Sequence, residues 1–234
     1  FMKSKLILIT LFVICMFSYT SAQQASINFS LALPQGEFGE QVDNLGYGLS
    51  GEFMFLSPKP KSPFGIGLNL GYYIYGKESR REPWSLTIPD VFVDVDRTNN
   101  LLNFHLVFEV GMPSGRIRPY IQGLFGGNYL YTQTSVSGEY GQENIATTTN
   151  FDDWAWSYGV GGGIAILLSG DPVTEQGAVY LDLKGRYLFG SEADYLKEGS
   201  IQIVGSRVVY NPSQSKTDLL TLHAGVRIAI NFHE

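Results

Sequence analysis

The chain is short of several things. It has one cysteine and three histidines in 234 residues. Charged residues make up 16%, where a soluble domain carries about 25%. One cysteine excludes a disulfide within the chain. Cys15 follows Phe12, Val13 and Ile14, without the small residue that precedes a lipid-modified cysteine. After the first segment no apolar run reaches the roughly 18 residues of a membrane helix, and mean hydropathy is +0.00. Positive charge is scarce too: a net charge of -6 argues against a nucleic-acid partner. Disorder is argued against by the 14% aromatic content. A chain too poor in charge for an ordinary soluble surface is also too polar for membrane helices.

What is present begins with an address. Lys3 and Lys5 precede the apolar stretch Leu6 to Phe17, and Thr20, Ser21 and Ala22 are small. Residues 1–22 therefore read as a secretory signal peptide, leaving 23–234 as one domain. Its removal takes away two of the 16 basic residues and none of the 22 acidic ones, so the exported chain is more acidic still.

The rest alternates. Leu220, Leu222, Ala224, Val226, Ile228, Ile230 and Phe232 share one parity, and Thr221, His223, Gly225, Arg227 and Asn231 the other. A period of two is a strand with one apolar and one polar face. The pattern recurs around 27–33, 47–55, 64–74, 104–110, 117–131, 156–168 and 179–189, which makes eight strands. The connections 57–63, 113–116 and 170–177 are short; 35–45, 78–99, 133–153 and 191–216 are longer and polar. This predicts an all-β, eight-stranded, antiparallel up-and-down barrel with its long loops at one end. No helical period is visible.

Alternation alone does not say which face is inside. A soluble barrel buries the apolar face, and a transmembrane barrel turns it outward. The polar parity of 65–73 is Gly, Gly, Asn, Gly, Tyr and that of 155–165 is Ala, Ser, Gly, Gly, Gly, Ala, which makes a poor water-facing surface but fits a narrow interior. On the apolar parity Tyr72, Tyr129, Tyr131, Trp156, Tyr158, Tyr187 and Phe189 gather toward the long loops, as an interfacial aromatic girdle would. With the signal peptide, these features predict a transmembrane barrel in the outer membrane, its termini in the periplasm.

Three motifs then carry a resemblance. The segment 223–232, HAGVRIAINF, is similar to the C-terminal β-signal of Gram-negative outer-membrane barrels, with Gly225, Ile228, Ile230 and Phe232 at its key positions; His233 and Glu234 follow it here. The segment 118–127, RPYIQGLFGG, resembles a strand start of small porin-like barrels, and 34–38 with 46–49 resembles their first hairpin. Over nearly the whole exported chain the sequence resembles the OmpA/OmpX-like outer-membrane β-barrel family. The resemblance implies recognition by the barrel-assembly machinery, contact with outer-membrane lipid and lipopolysaccharide, and no cofactor. The pattern ends at strand eight, so the peptidoglycan-binding domain that follows the barrel in full-length OmpA is not expected.

By parity the lumen receives Glu52, Glu109 and Asp182 against Arg118, Lys184, Arg186 and Arg227, joined by His105, His223, Gln122 and Asn128. Buried charges must pair to offset desolvation, so this set reads as a polar plug; a gated narrow pore is the other reading. An enzyme is not expected. His105 and His223 point inward, His233 ends the chain, and Asp152 and Asp153 at a loop edge have no histidine beside them. No metal-ligand spacing is present. Arg80 and Arg81 form a basic patch that meets lipopolysaccharide phosphates or is simply solvated. In loop 191–216, Ile201–Val204 and Arg207–Tyr210 flank Gly205 and Ser206 like a hairpin, either a dock for an outer-membrane partner or a plain strand extension. The role this predicts is a structural or interaction barrel, with a narrow OmpW-like channel as the alternative.

Overall fold

The structure, a computed structural model, describes residues 23–85, 88–138, 144–197, 199–204 and 207–230. The expected signal peptide, the Gly205-Ser206 turn and Phe232 lie outside the described residues. The elements in chain order are β1 (Gln23–Pro34), α1 (Gly36–Gln41), β2 (Gly46–Leu56), β3 (Phe64–Ser85), β4 (Ile88–Gly111), β5 (Ile117–Gly138) and β6 (Asn144–Ser169). They continue with β7 (Val179–Gly190), β8 (Glu192–Tyr195), β9 (Ile201–Val204), β10 (Arg207–Tyr210), β11 (Ser213–Lys216) and β12 (Leu219–Ile230).

Eight strands close in the order β1-β12-β7-β6-β5-β4-β3-β2. Each neighbouring pair is antiparallel, and β1 meets β12 from Gln23↔Ile230 to Pro34↔Leu219. This is the up-and-down barrel that the alternation predicts. Closure leaves no open edge through the shared height of the wall.

The wall is apolar outside and polar inside. Ile27 is 72% exposed, and Phe29, Leu49, Leu70, Ile121, Phe125 and Val160 are exposed with it. Asn28, Ser30, Asn69, His105, Gln122, Ser157 and Thr221, on the opposite parity, are buried. In water so continuous an exposed apolar surface would be an association site; in lipid it is the matched surface.

The strands fall into two lengths. β1, β2, β7 and β12 have 12, 11, 12 and 12 residues. β3, β4, β5 and β6 have 22, 24, 22 and 26. A tilted bilayer crossing takes about 9–11 residues, so the first group matches one crossing and the second about two. Here the observed structure corrects the sequence reading. Most of 78–99 and 133–153 is not loop but the upper part of two tall hairpins, paired as far as Ser85↔Ile88 and Ser137↔Asn144. Backbone hydrogen bonds hold these strands; in β3, β5 and β6 polar residues occupy both parities, so the alternation by which a half-buried strand is recognised is missing there, while β4 alternates at Val91, Val93 and Val95 against Asp94 and Asp96.

The other two long loops hold one further correction and one expected hairpin. Residues 35–45 contain the short helix α1, whose Phe38 is fully buried. Six residues are too few to show a helical period in sequence. In 191–216, β9 pairs with β10 as a hairpin, while β8 pairs with β11 as a separate two-stranded sheet; neither ribbon belongs to the barrel sheet.

Candidate functional site: a filled lumen

Inward-facing positions on β2, β4, β5, β7 and β12 build the site. Glu52 (β2), Glu109 (β4), Arg118 and Gln122 (β5), Asp182, Lys184 and Arg186 (β7), His223 and Arg227 (β12), His105 (β4) and Asn128 (β5) are all buried. Room for them comes from glycine. A Cβ on Gly161 would lie 2.6 Å from Arg186 Cγ, and one on Gly163 would lie 2.7 Å from Lys184 Cβ. The glycine run of β6 thus gives space to the two cations of β7.

Glu52 is the centre of the network. One carboxylate oxygen accepts from the Arg186 guanidinium and lies 3.4 Å from Lys184 Nζ; the other lies 3.5 Å from Arg227. Gln122 joins two acids, donating to Glu52 at 3.1 Å and to Glu109 at 2.8 Å, while its oxygen accepts from Arg186 at 2.7 Å. Arg227 reaches Glu109 at 3.2 Å and Asp182 at 3.4 Å, and lies 4.4 Å over the ring of Tyr120. Asp182 also lies 3.2 Å from Lys184 and accepts from the Tyr120 hydroxyl. Such multiple pairing offsets the desolvation of buried charge. The network also crosses the barrel: β2 is joined to β5, β7 and β12, which are not its neighbours.

The histidines stand apart from the acids. His223 Nδ1 is 2.7 Å from Ser30 Oγ and 3.0 Å from Ser50 Oγ, and its Nε2 is 3.0 Å from Thr221 Oγ1. His105 Nε2 is 3.0 Å from Ser157 Oγ. These hydroxyl contacts position the rings within the packing. Neither amide atom of Asn128 has a protein partner among the described residues.

One member escaped the parity argument because it is not on a strand. Glu175 belongs to the short turn between β6 and β7, yet it is buried, and its carboxylate pairs with Arg118 and accepts from Gln24 Nε2 at 3.2 Å. Arg118 also donates to the Pro172 carbonyl at 3.0 Å and lies 4.6 Å over the Tyr180 ring. Glu175 has φ 61, a left-handed backbone that costs a non-glycine residue of order 1–3 kcal/mol. Asp171 folds this turn, accepting from Val173 N–H and Thr174 Oγ1 at 2.8 Å each, and these bonds hold its carboxyl below the usual carboxylate range. With Glu175 the buried acids become four, against four buried cations, among the described residues.

The opposite end is closed by apolar packing. Above the charged layer the inward positions become Ala32, Leu101, Leu130, Ala155, Leu188 and Leu219, all buried. Phe38 from α1 and Tyr195 from β8 cover them, their rings 5.0 Å apart and edge to face; Tyr75 lies 5.8 Å from Phe38 on the other side. The lumen is therefore filled by paired charge, then amides and hydroxyls, then hydrocarbon.

The aromatic candidates all lie on the outer face. Tyr72, Trp156, Tyr158 and Phe189 are exposed, and Tyr129, Tyr131 and Tyr187 are half-buried against neighbours. Tyr158 stacks on Phe189 at 5.5 Å and Tyr129 on Tyr131 at 5.4 Å. Of the C-terminal motif, Ile228 is exposed, Ile230 is half-buried, and Gly225 packs against the backbone of Ile27 and Asn28 on β1. Arg80 bonds Glu78, and Arg81 lies 5.0 Å over the Phe92 ring.

No family model matches the chain, and no curated protein does. Solved structures do. The chain is similar to Neisserial surface protein A at 13% identity, covering 88% of this chain and 95% of that one, with a TM-score of 0.39. Against Ail, the attachment invasion locus protein of Yersinia pestis, identity is 12% over 90% and 99% of the two chains, with a TM-score of 0.41. For outer membrane protein AlkL the identity is 14%, the coverage 92% of each chain and the TM-score 0.36. The barrel's interior has no acid–histidine pair arranged for catalysis among the described residues, and no group of His, Cys, Asp or Glu suited to a metal.

Proposed function

We propose that the protein is an integral outer-membrane barrel with a closed lumen, a non-enzymatic structural or interaction protein whose working part is its extracellular side. One observation carries this reading: the lumen is filled along its length and covered at both ends, by the Glu175 turn below and by Phe38 and Tyr195 above. Four acids against four cations leave no uncompensated charge to draw ions through. The apolar outer face fits lipid, and the girdle residues fit headgroup depth. Gly225, Ile228 and Ile230, with Phe232, are the positions for recognition by the assembly machinery.

The closed lumen is tested by conductance of the purified barrel in planar bilayers. The expected result is no steady conductance, with or without Arg186→Ala. Discrete openings that change with Arg186→Ala would favour the gated channel instead. That second reading has one observation behind it: a single strained turn at Glu175 covers the periplasmic end. The interaction role is served by the polar upper parts of β3, β5 and β6 and by the strand edges of the ribbons β8–β11 and β9–β10, to which an outer-membrane partner can pair. Affinity purification with and without residues 199–210 tests it; an unchanged set of partners would remove the ribbon from the proposal.

A further inference from the structure

We propose that the turn between β6 and β7 is a hinged lid, and that its Glu175 carboxylate holds the place of a carboxylate supplied by a ligand at the periplasmic mouth. This rests on the reading of the chain as a barrel whose short turns face the periplasm. It does not depend on whether the lumen conducts.

The two covers of the lumen are unlike. Above, Phe38 and Tyr195 are buried hydrocarbon rings. Below, the turn 170–177 buries one carboxylate, while its Val173 is 74% exposed, and Asp171, Thr174, Gln176 and Gly177 are exposed with it. The hold of this turn on the barrel is polar. Arg118 donates to the Glu175 carboxylate and, at 3.0 Å, to the Pro172 carbonyl. Gln24 Nε2 donates to Glu175 Oε1 at 3.2 Å, and Gly115 N–H to the Pro172 carbonyl at 3.3 Å. Polar bonds of this kind exchange for water or for another acceptor at small net cost, which buried hydrocarbon does not.

The turn is also built to move as a unit. Glu175 N–H donates to the Asp171 carbonyl at 3.0 Å and Asp171 N–H to the Gln176 carbonyl at 3.3 Å, so the segment is closed on itself. Gly170 and Gly177 flank it with φ 88 and 60, and glycine leaves that region as readily as it enters it. Both ends therefore serve as hinges. Glu175 lies between them at φ 61 without being glycine, and swinging out recovers that strain.

What Glu175 touches defines the site. Arg118 and Gln24 are buried, and both donate to the same oxygen, Oε1. Each is held by groups that stay behind when the turn leaves. The Arg118 guanidinium lies 4.6 Å over the Tyr180 ring, and Arg227 donates to Gln24 Oε1 at 3.4 Å. Arg118 Nε is buried and has no partner among the described residues. Release of the turn frees Nη1 and Nη2 beside that Nε, and paired N–H groups are the edge that a carboxylate takes with both oxygens. Charge selects the same class of ligand. Without Glu175 the described interior holds three buried acids against four buried cations, one negative charge short of balance. A single carboxylate restores it; a neutral amide of the same shape does not. A small cavity of about 10 Å³ already adjoins Arg118 and Gln24 between Pro58 and Met112, residues of the other two short connections. The same chemistry is offered by a small free acid and by the C-terminal end of a peptide.

The test is ligand-observed NMR titration of the whole barrel in neutral detergent. The probes are acetate, N-acetylglycine as the mimic of a peptide end, and N-acetylglycinamide as its neutral counterpart. Glu175→Ala removes the tethered competitor. In that background Arg118→Lys removes the paired edge, Gln24→Ala removes the second donor, and Thr148→Ser, far from the mouth, is the control. Gln24→Ala keeps the test decisive if the Arg118→Lys barrel does not fold. We expect the Glu175→Ala barrel to bind the carboxylates about tenfold tighter than the parent, whose own carboxylate competes at high effective concentration. Each donor variant is expected to lose about tenfold, and the control nothing. Acetate bound as well as N-acetylglycine assigns a small free acid; preference for N-acetylglycine assigns a peptide end. No carboxylate binding by the Glu175→Ala barrel overturns the proposal. So does binding that the amide matches, that the parent equals, or that the donor variants leave unchanged. A conducting barrel, by contrast, ends the closed-lumen reading and leaves this titration as it stands.

Discussion

Between Phe64 and Ile74, β3 sets apolar side chains against glycine, asparagine and tyrosine; from Lys77 to Arg81 it is charged or hydroxylated on both faces. β6 makes the same change in reverse, from Asn144-Ile-Ala-Thr-Thr-Thr-Asn150 above to an alternation from Trp154 to Leu168 that only Gly162 and Leu167 interrupt. The hydrogen-bond ladder runs through both parts of each strand. What changes is the surroundings. Where lipid is on one side and a narrow lumen on the other, each position is dictated by its parity. Where water is on both sides, cross-strand pairs suffice: Arg97 with Glu78 at 3.2 Å, and Ser79 with Asp96.

Three substitutions, each measured by urea unfolding of the barrel in lipid vesicles, break or sharpen that contrast. Glu52→Ala has the largest expected effect, about 3–5 kcal/mol, because it leaves three buried cations short of a partner. A Glu52→Ala barrel as stable as the parent would remove the lumen network from the account of stability. Ile121→Arg is next: the residue is 65% exposed on the lower outer face, and a charge at mid-bilayer costs about 2–4 kcal/mol. Thr148→Arg, on an exposed upper strand position, is expected to stay within about 0.5 kcal/mol. Equal costs for Ile121→Arg and Thr148→Arg would mean that the two parts of the wall share one solvent.

Legibility followed the same division. The lower wall was readable because lipid enforces a period of two, so strand number, direction and the inward set Glu52, Glu109, Asp182, Arg186 and Arg227 follow from parity. The upper halves of β3, β5 and β6 look like loops in sequence because solvated strands need no alternation, and in β4 the alternation of Val91, Val93 and Val95 with Asp94 and Asp96 is masked by the turn-like Pro83 and Pro89 before it. Glu175 was not readable, since its burial depends on a turn folding back into the barrel and not on any periodicity; its only local signals are the turn residues Gly170, Asp171 and Pro172. Phe38 and Tyr195 were missed for a related reason. Each lies in a segment of six residues or fewer, and they meet across more than 150 positions of sequence.

The Glu175 turn has one more consequence. Its carboxylate completes four negative and four positive groups inside the wall among the described residues, so the interior adds nothing to the net negative charge of the chain. The whole electrostatic character of the molecule as other molecules meet it resides on its two ends. Ion-exchange behaviour, repulsion between neighbouring copies and the pull on divalent cations at the cell surface are properties of the loops and upper strands. Evolution can retune them there without disturbing a single pair in the lumen.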